Sequence, residues 1–177
     1  MQALLGKKIH LRALEPQDID FLFAVENDES FWEVSSTQTP FSRFILEQYI
    51  ASAHQDIHEV KQLRLIIAEN ATKNKVGMID LFNFNPQHKR AGVGILIIDS
   101  EQHKGYASEA LQLLIDYSFI QLNLHQLFAN ITSDNTKSLT LFKKHSFLKV
   151  GTKKEWVLSK GKFKDEVLFQ LINNGKH

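Results

Sequence analysis

Residues 8–14 alternate apolar and polar positions, with Ile9, Leu11 and Ala13 on one side, which is the period of a strand. Pro16 then opens a helical stretch in which Ile19, Leu22, Phe23 and Glu26 recur at helical spacing. Residues 30–39 read as a polar loop holding Phe31, Trp32 and Glu33. Pro40 starts a second helix whose apolar face is Phe44, Ile45, Tyr49 and Ala53. Residues 63–68 and 76–84 predict two strands joined by a turn over 70–75. Residues 92–98 predict a third strand, and its unbroken end Ile95-Leu96-Ile97-Ile98 predicts burial on both faces. From Ala107 the apolar positions 107, 110, 111, 114, 115, 119 and 122 form a helical stripe. Residues 127–131 form a short strand, after which Asp134 or Asn135 caps a helix carrying Leu139, Phe142 and His145. Strands follow at 147–150, 155–158 and 163–171, the last two joined by the hairpin signal Ser159-Lys160-Gly161-Lys162. The order β-α-α-β-β-β-α-β-α-β-β predicts an α/β mixture around one sheet, in one domain over residues 1–177.

Composition narrows the class of partner. The 21 basic and 20 acidic side chains leave a formal charge of +1, which argues against a nucleic-acid binder. Cysteine is absent, so thiolate nucleophiles and Cys-ligated zinc are excluded. No apolar run approaches a bilayer span, and residues 1–8 hold too little apolar sequence before their lysines to read as an export signal. The expectation is a cytoplasmic protein that acts on small molecules, engages no membrane and no nucleic acid, and has self-association left open. His54 and His58 lie one helical turn apart, but no third ligand accompanies them and no H-E-x-x-H frame exists, so no metal is expected.

Chemistry concentrates in the junction between the third strand and the central helix. Gln102-His103-Lys104-Gly105-Tyr106-Ala107-Ser108 leads from strand to helix start, where backbone N–H groups lack partners and the helix dipole adds positive charge. Gly105 and Ala107 are small enough for an anion to approach the backbone, and His103 and Lys104 add charge. The junction reads as a phosphate cradle or as an ordinary helix start with a convenient glycine. Competing phosphate motifs fail. No Gly-Lys pair is followed by Ser or Thr, and Gly92-Val93-Gly94 is followed by Ile97 where a dinucleotide fingerprint needs glycine.

The segment Gln102-His103-Lys104-Gly105-Tyr106-Ala107 resembles the Q/R-x-x-G-x-G/A pattern of the Gcn5-related N-acetyltransferases. Residues 135–147, from Asn135 through Ser138, Phe142 and Lys144 to Phe147, are similar to that family's N-x-x-A/S-x-x-x-Y/F-x-K-x-G-F segment. Element order and motif spacing agree over nearly the whole chain. Trp32-Glu33, residues 77–84, Lys89-Arg90-Ala91 and the hairpin residues 161–165 carry a closer likeness to spermidine, diamine and ribosomal-protein N-terminal acetyltransferases. The resemblance implies a mixed, mostly antiparallel sheet with helices on both faces and a splay between two middle strands. It implies acetyl transfer from acetyl-CoA to an amine. The backbone of Ile95, Leu96 and Ile97 would pair with the pantetheine arm as an added strand. Amides from His103 to Ser108, preceded by Gln102, would hold the pyrophosphate. Asn135, Ser138, Phe142 and Lys144 would line the cofactor's path.

The chemistry needs a free amine, and deprotonating a primary alkylamine at neutral pH costs about 4–5 kcal/mol, against about 1 kcal/mol for a protein α-amine. A polyamine enzyme therefore calls more strongly for a base. Asp80, flanked by Met78-Ile79 and Leu81-Phe82, matches an acidic position of the diamine enzymes, and Glu33 follows Trp32 in the loop expected to cover the acceptor. Both are expected to bind and deprotonate the amine, with Trp32 stacking on it. Three positions depart from the family pattern. Phe142 stands where many members place the tyrosine that protonates the leaving thiolate, which leaves water, Ser138 or Tyr106 for that role. Ser146 stands where glycine is usual, and Asn83 where the polyamine branch has a metal-binding glutamate. A small polyamine or diamine is the expected acceptor. A protein N-terminus, or a module that binds acetyl-CoA without catalysis, are the alternatives.

Overall fold

The computed structural model describes residues 4–175. Met1 to Ala3, part of the segment weighed as an export signal, lie outside the described residues. The strands are β1 (Ile9–Ala13), β2 (Leu63–Glu69), β3 (Lys75–Asn85), β4 (Arg90–Ile97), β5 (Gln126–Thr132), β6 (Leu148–Ser159) and β7 (Lys162–Ile172). The helices are α1 (Ile19–Glu26), α2 (Glu29–Ser35), α3 (Arg43–Ser52), the single turn α4 (Ile57–Val60), α5 (Tyr106–Asp116) and α6 (Thr136–Lys144). The strands form one sheet in the order β1-β2-β3-β4-β5-β7-β6. Every neighbouring pair is antiparallel except β4 and β5.

Two cores cover the two faces of the sheet, because alternate strand residues point to opposite sides. Ile79 and Leu81 of β3 pack with Leu111, Leu114 and Ile115 of α5 and with Phe147 and Phe169. Met78 of β3 and Ile66 of β2 pack with Leu22 and Val25 of α1 and Leu46 and Ile50 of α3. The α5 stripe read from the sequence is the buried stripe, and a π-helical turn at Tyr117–Gln121 brings Phe119 into the same core.

The structure corrects four of the expected elements. Residues 30–39 are not all loop: α2 forms because the Asp28 side chain accepts the Ser30 N–H, and it stops at Ser36, whose φ is 57°. The second helix begins at Arg43, capped by Ser42, and buries Leu46 and Ile50, while Phe44 and Ile45 stay exposed. Its sequence offered two apolar faces, and contact with the sheet selected one of them. The two strands expected at 147–150 and 155–158 are one strand, β6, with register shifts at Lys149/Gly151 and Lys153/Val157. As the outer strand of the sheet it tolerates such bulges. Residues 95–98 are half-buried rather than buried on both faces, since β5 leaves β4 before reaching them.

Candidate active site

The β4–β5 pairing lasts three residues, Arg90–Gly92 against Gln126–Phe128, and then the strands part. On its other side β4 stays paired to β3 as far as Ile97, so beyond Gly92 only the edge facing β5 lacks a strand partner. Gly92 sits at the apex, where a Cβ would meet the Phe82 ring at 2.4 Å, and Phe82 packs edge-on to Phe128 with centroids 5.7 Å apart. A cavity of about 690 Å³ opens from the splay, large enough for an extended cofactor arm. Ile95, Leu96, Ile97, Gln102, His103, Gly105, Tyr106, Ala107, Ser108, Asn135, Ser138 and Lys144 line it. Two residues expected there do not. Lys104 turns to an ion pair with Glu101, and Phe142 is buried in the core.

The α5 end of the cavity has the features of an anion cradle. Gly105 precedes the helix at φ 86°, in the left-handed region that glycine enters without strain. No side chain caps this end, so the first-turn amides keep their donors for a ligand. Gln102 ties the strand end to α6. Its Nε2 donates to the Ile97 carbonyl (3.3 Å) and Asp99 (2.8 Å), while its Oε1 accepts from Lys137 (2.8 Å). Tyr106 does not offer its hydroxyl to the cavity. It donates to Glu69 at 2.6 Å, a bond that pushes the phenol up to about 12.

Opposite, Asn135 caps α6 by accepting the Ser138 N–H. That bond uses the side-chain oxygen and leaves the amide NH₂ for a ligand. The far end of α6 explains Phe142. Phe147 N–H bonds the Phe142 carbonyl and Ser146 N–H bonds that of Lys143, the paired bonds of a Schellman cap. The rings of Phe142 and Phe147 complete the cap at 4.9 Å, edge to face. Ser146 takes the left-handed conformation, φ 66°, at the position where the family pattern has glycine.

Asp80 and Glu33 lie outside the cavity lining, each held by a cation. Asp80 pairs in register with Gly94, two residues beyond the splay apex. Both its oxygens accept from Arg64 at 2.8 Å. Arg64 also bonds Glu26, and its guanidinium lies 5.5 Å from the Tyr49 ring centre. Glu33 accepts from Lys164 at 2.7 and 3.0 Å and from the Ser159 hydroxyl, which together hold its carboxyl below the usual range. Lys164 is shared with Asp134 at 2.7 Å, next to the α6 cap. Trp32 connects the clusters, since its indole N–H donates to the Glu26 carbonyl and its neighbour is Glu33. Each cluster sets two carboxylates against one cation.

Sequence reading missed Arg64 and Lys164, because nothing local marks a lysine or arginine as a partner of a distant acid. It also missed that Ser30, Phe31 and Val34 line the cavity. Asp28 before an i, i+3 apolar pair was the available signal for that helix. Among the described residues no cluster of His, Asp and Glu could hold a metal ion, and no helix is long and apolar enough to cross a membrane. His54 bonds the Ala51 carbonyl, and His58 packs edge-on to Phe84.

Comparison with known proteins agrees with this geometry. The family model for the acetyltransferase (GNAT) domain matches residues 8–147. A spermidine N(1)-acetyltransferase of Vibrio cholerae is 29% identical over 164 residues, covering 91% of each chain. An uncharacterized N-acetyltransferase p20 of Bacillus licheniformis is 29% identical over 173 residues, covering 97% of each. The solved structure of Vibrio cholerae spermidine N-acetyltransferase in complex with CoA and spermine superposes with a TM-score of 0.86 at 26% identity, covering 94% of this chain and 96% of that one.

Proposed function

The chain belongs to the GNAT acetyltransferase family, and from that premise we propose that the amine it acetylates belongs to a small polyamine or diamine. It is an N-acetyltransferase with acetyl-CoA as co-substrate. The observation that carries the choice of acceptor is the pair of carboxylate-rich clusters around Trp32. Glu26 and Asp80 outnumber Arg64, and Glu33 and Asp134 outnumber Lys164, so each cluster has one negative charge in excess. Two such sites suit a chain bearing more than one ammonium, whereas a peptide N-terminus brings one. Relatives that act on spermidine support the same reading.

Acetyl-CoA supplies the acetyl thioester. The open edge of β4 and the uncapped amides of α5 hold its arm and phosphates, with Asn135 and Ser138 across the cavity. A backbone N–H of β4 beyond Gly92 stabilises negative charge developing on the thioester oxygen. On the other side of β4, Asp80 stands beside Gly94 and draws the ammonium toward the splay, and Trp32 packs on its methylenes. Both oxygens of Asp80 are already engaged by Arg64, and those of Glu33 by Lys164 and Ser159. The role assigned to Asp80 and Glu33 is therefore attraction and orientation, with the ammonium proton leaving through water. The neutral amine forms the new C–N bond as the C–S bond breaks; the nitrogen then sheds its second proton to water, and the thiolate takes one from water or from Ser138 re-protonated by water, since Phe142 has no proton to give and that of Tyr106 is held by Glu69.

The test is CoA release with spermidine, diamines, short peptides and aminosugars. Spermidine or a diamine is expected to turn over fastest. Asp80→Asn and Glu33→Gln should each raise the KM of that amine by about tenfold, an attraction of roughly 1.4 kcal/mol, and leave CoA affinity unchanged. Faster turnover of peptides, or an unchanged KM in both variants, would overturn the assignment.

A further inference from the structure

Behind Ser108, which lines the cavity, runs a chain of polar side chains that acetyl transfer does not use. Ser108 Oγ lies 2.8 Å from His145 Nε2. His145 Nδ1 lies 3.2 Å from Gln112 Oε1, and Gln112 Nε2 donates to Asp116 at 2.9 Å. The proton positions follow from the far end. A carboxylate can only accept, so the Gln112 amide must present its NH₂ to Asp116 and its oxygen to His145. His145 Nδ1 therefore bears a proton. In the neutral ring Nε2 is then an acceptor, and the hydroxyl of Ser108 must point its only proton at His145.

This arrangement opposes anion binding. Ser108 lines the cavity in the first turn of α5, where the pyrophosphate of CoA is expected, yet with neutral His145 it can show a ligand only lone pairs. A proton on Nε2 reverses the bond. The imidazolium then donates to Ser108 Oγ, and the freed hydroxyl proton can turn to a phosphate oxygen. We propose that His145 is a positioning residue for the cofactor phosphates, acting through Ser108, so that binding CoA takes up a proton at His145. The inference rests on the cavity being the CoA site.

The surroundings of His145 favour the neutral ring in the free protein. Burial and the neighbouring Lys144 hold it below its ordinary value, against the pull of Asp116. Lys144 itself lines the cavity. A diphosphate there would offset the positive charge of Lys144 and remove part of the repulsion that keeps His145 neutral. By linkage, whatever makes the phosphate favour the imidazolium makes the imidazolium favour the phosphate by the same factor.

The test is calorimetric titration of CoA into the intact protein at about pH 6 and about pH 8, the span in which a histidine changes charge. For wild type, affinity should rise about tenfold more from about pH 8 to about pH 6 than for His145→Gln, within the limit of about a hundredfold for one coupled proton over about two pH units. Glutamine places an N–H donor near Ser108 at every pH, so that variant removes the contribution of His145 and leaves every other pH-dependent charge at the site, on protein and ligand, in place. Ser108→Ala should lose the same extra dependence. Histidine NMR on wild-type protein supplies a readout that needs no variant: the His145 ring should titrate at higher pH with CoA bound. Superimposable pH profiles in wild type and His145→Gln, a full wild-type profile in Ser108→Ala, or an unmoved His145 titration would each overturn the proposal. Equal CoA affinity in wild type and Gly105→Glu would instead overturn the cavity as the cofactor site.

Discussion

Replacing Gly105 by glutamate puts a charge into the expected phosphate cradle, and the structure separates its effect on folding from its effect on binding. At φ 86° any residue with a Cβ pays conformational strain, about 1–2 kcal/mol, while a domain of ordinary stability holds about 5–15 kcal/mol. Packing adds little, because the new Cβ would meet only Lys8 Nζ, at 3.7 Å. The variant should fold. Two charges about 4 Å apart repel by ~1 kcal/mol in water and ~4 kcal/mol near a protein surface. Gly105 is exposed, which favours the lower part of that range. For a pyrophosphate with two charges, the added carboxylate should cost about 2–4 kcal/mol of CoA binding, roughly a 30- to 700-fold rise in Kd. Gly105→Ala is the control, since it keeps the strain and removes the charge, and its Kd should rise less than about tenfold. Calorimetric titration of CoA into each variant, with thermal unfolding to confirm the fold, reads both quantities. A folded Gly105→Glu protein that binds CoA within about threefold of wild type would refute the placement of the phosphates, since a charge at that point should cost at least 1 kcal/mol.

The remaining predictions concern stability. Burial alone would raise the Asp18 carboxyl, but bonds from Arg12, the Glu15 N–H and Lys75 hold it down at about 2, which is about 2.5 kcal/mol relative to an unperturbed aspartate. Because the folded-state value is depressed, that stability is present above about pH 4 and lost as pH falls toward about 2. In urea unfolding followed by tryptophan fluorescence, Asp18→Asn should therefore be less stable than wild type by roughly 2–3 kcal/mol at neutral pH, with the gap closing below about pH 4. A gap independent of pH would show that the carboxylate charge is not what fastens α1 to the sheet. Ser146→Gly relieves the left-handed strain in the α6 cap and should raise stability by about 0.5–1 kcal/mol, a Tm increase of about 1–4 °C. A lowered Tm would mean that the serine side chain contributes more than the strain costs.

The proposed cofactor site was legible in adjacent residues. Strand, glycine junction and helix start lie within residues 95–108, and Asn135 heads its helix four residues ahead of the apolar Leu139. Backbone geometry of that kind is written in adjacent residues: a glycine that accepts positive φ, a cap that accepts an amide, an apolar stripe at helical period. The splay followed from the family resemblance and from no local pattern, because it depends on β5 leaving β4 after Phe128, and the half-buried state of Ile95 to Ile98 follows from that departure. The proposed acceptor side depends almost wholly on contacts between distant segments. Asp80 and Glu33 were visible as acids, but Arg64 lies 16 residues from Asp80 and 38 from Glu26, and Lys164 lies 131 residues from Glu33. Those pairings turned two expected bases into charge-sharing clusters. Phe142 changed meaning in the same way, from an acid position without its acid to one face of a helix cap completed by Phe147. Local sequence specifies which φ, ψ and periodicity a segment takes, whereas the partner of a charged or aromatic side chain is set by how distant segments meet, and here the proton chemistry depends on those partners.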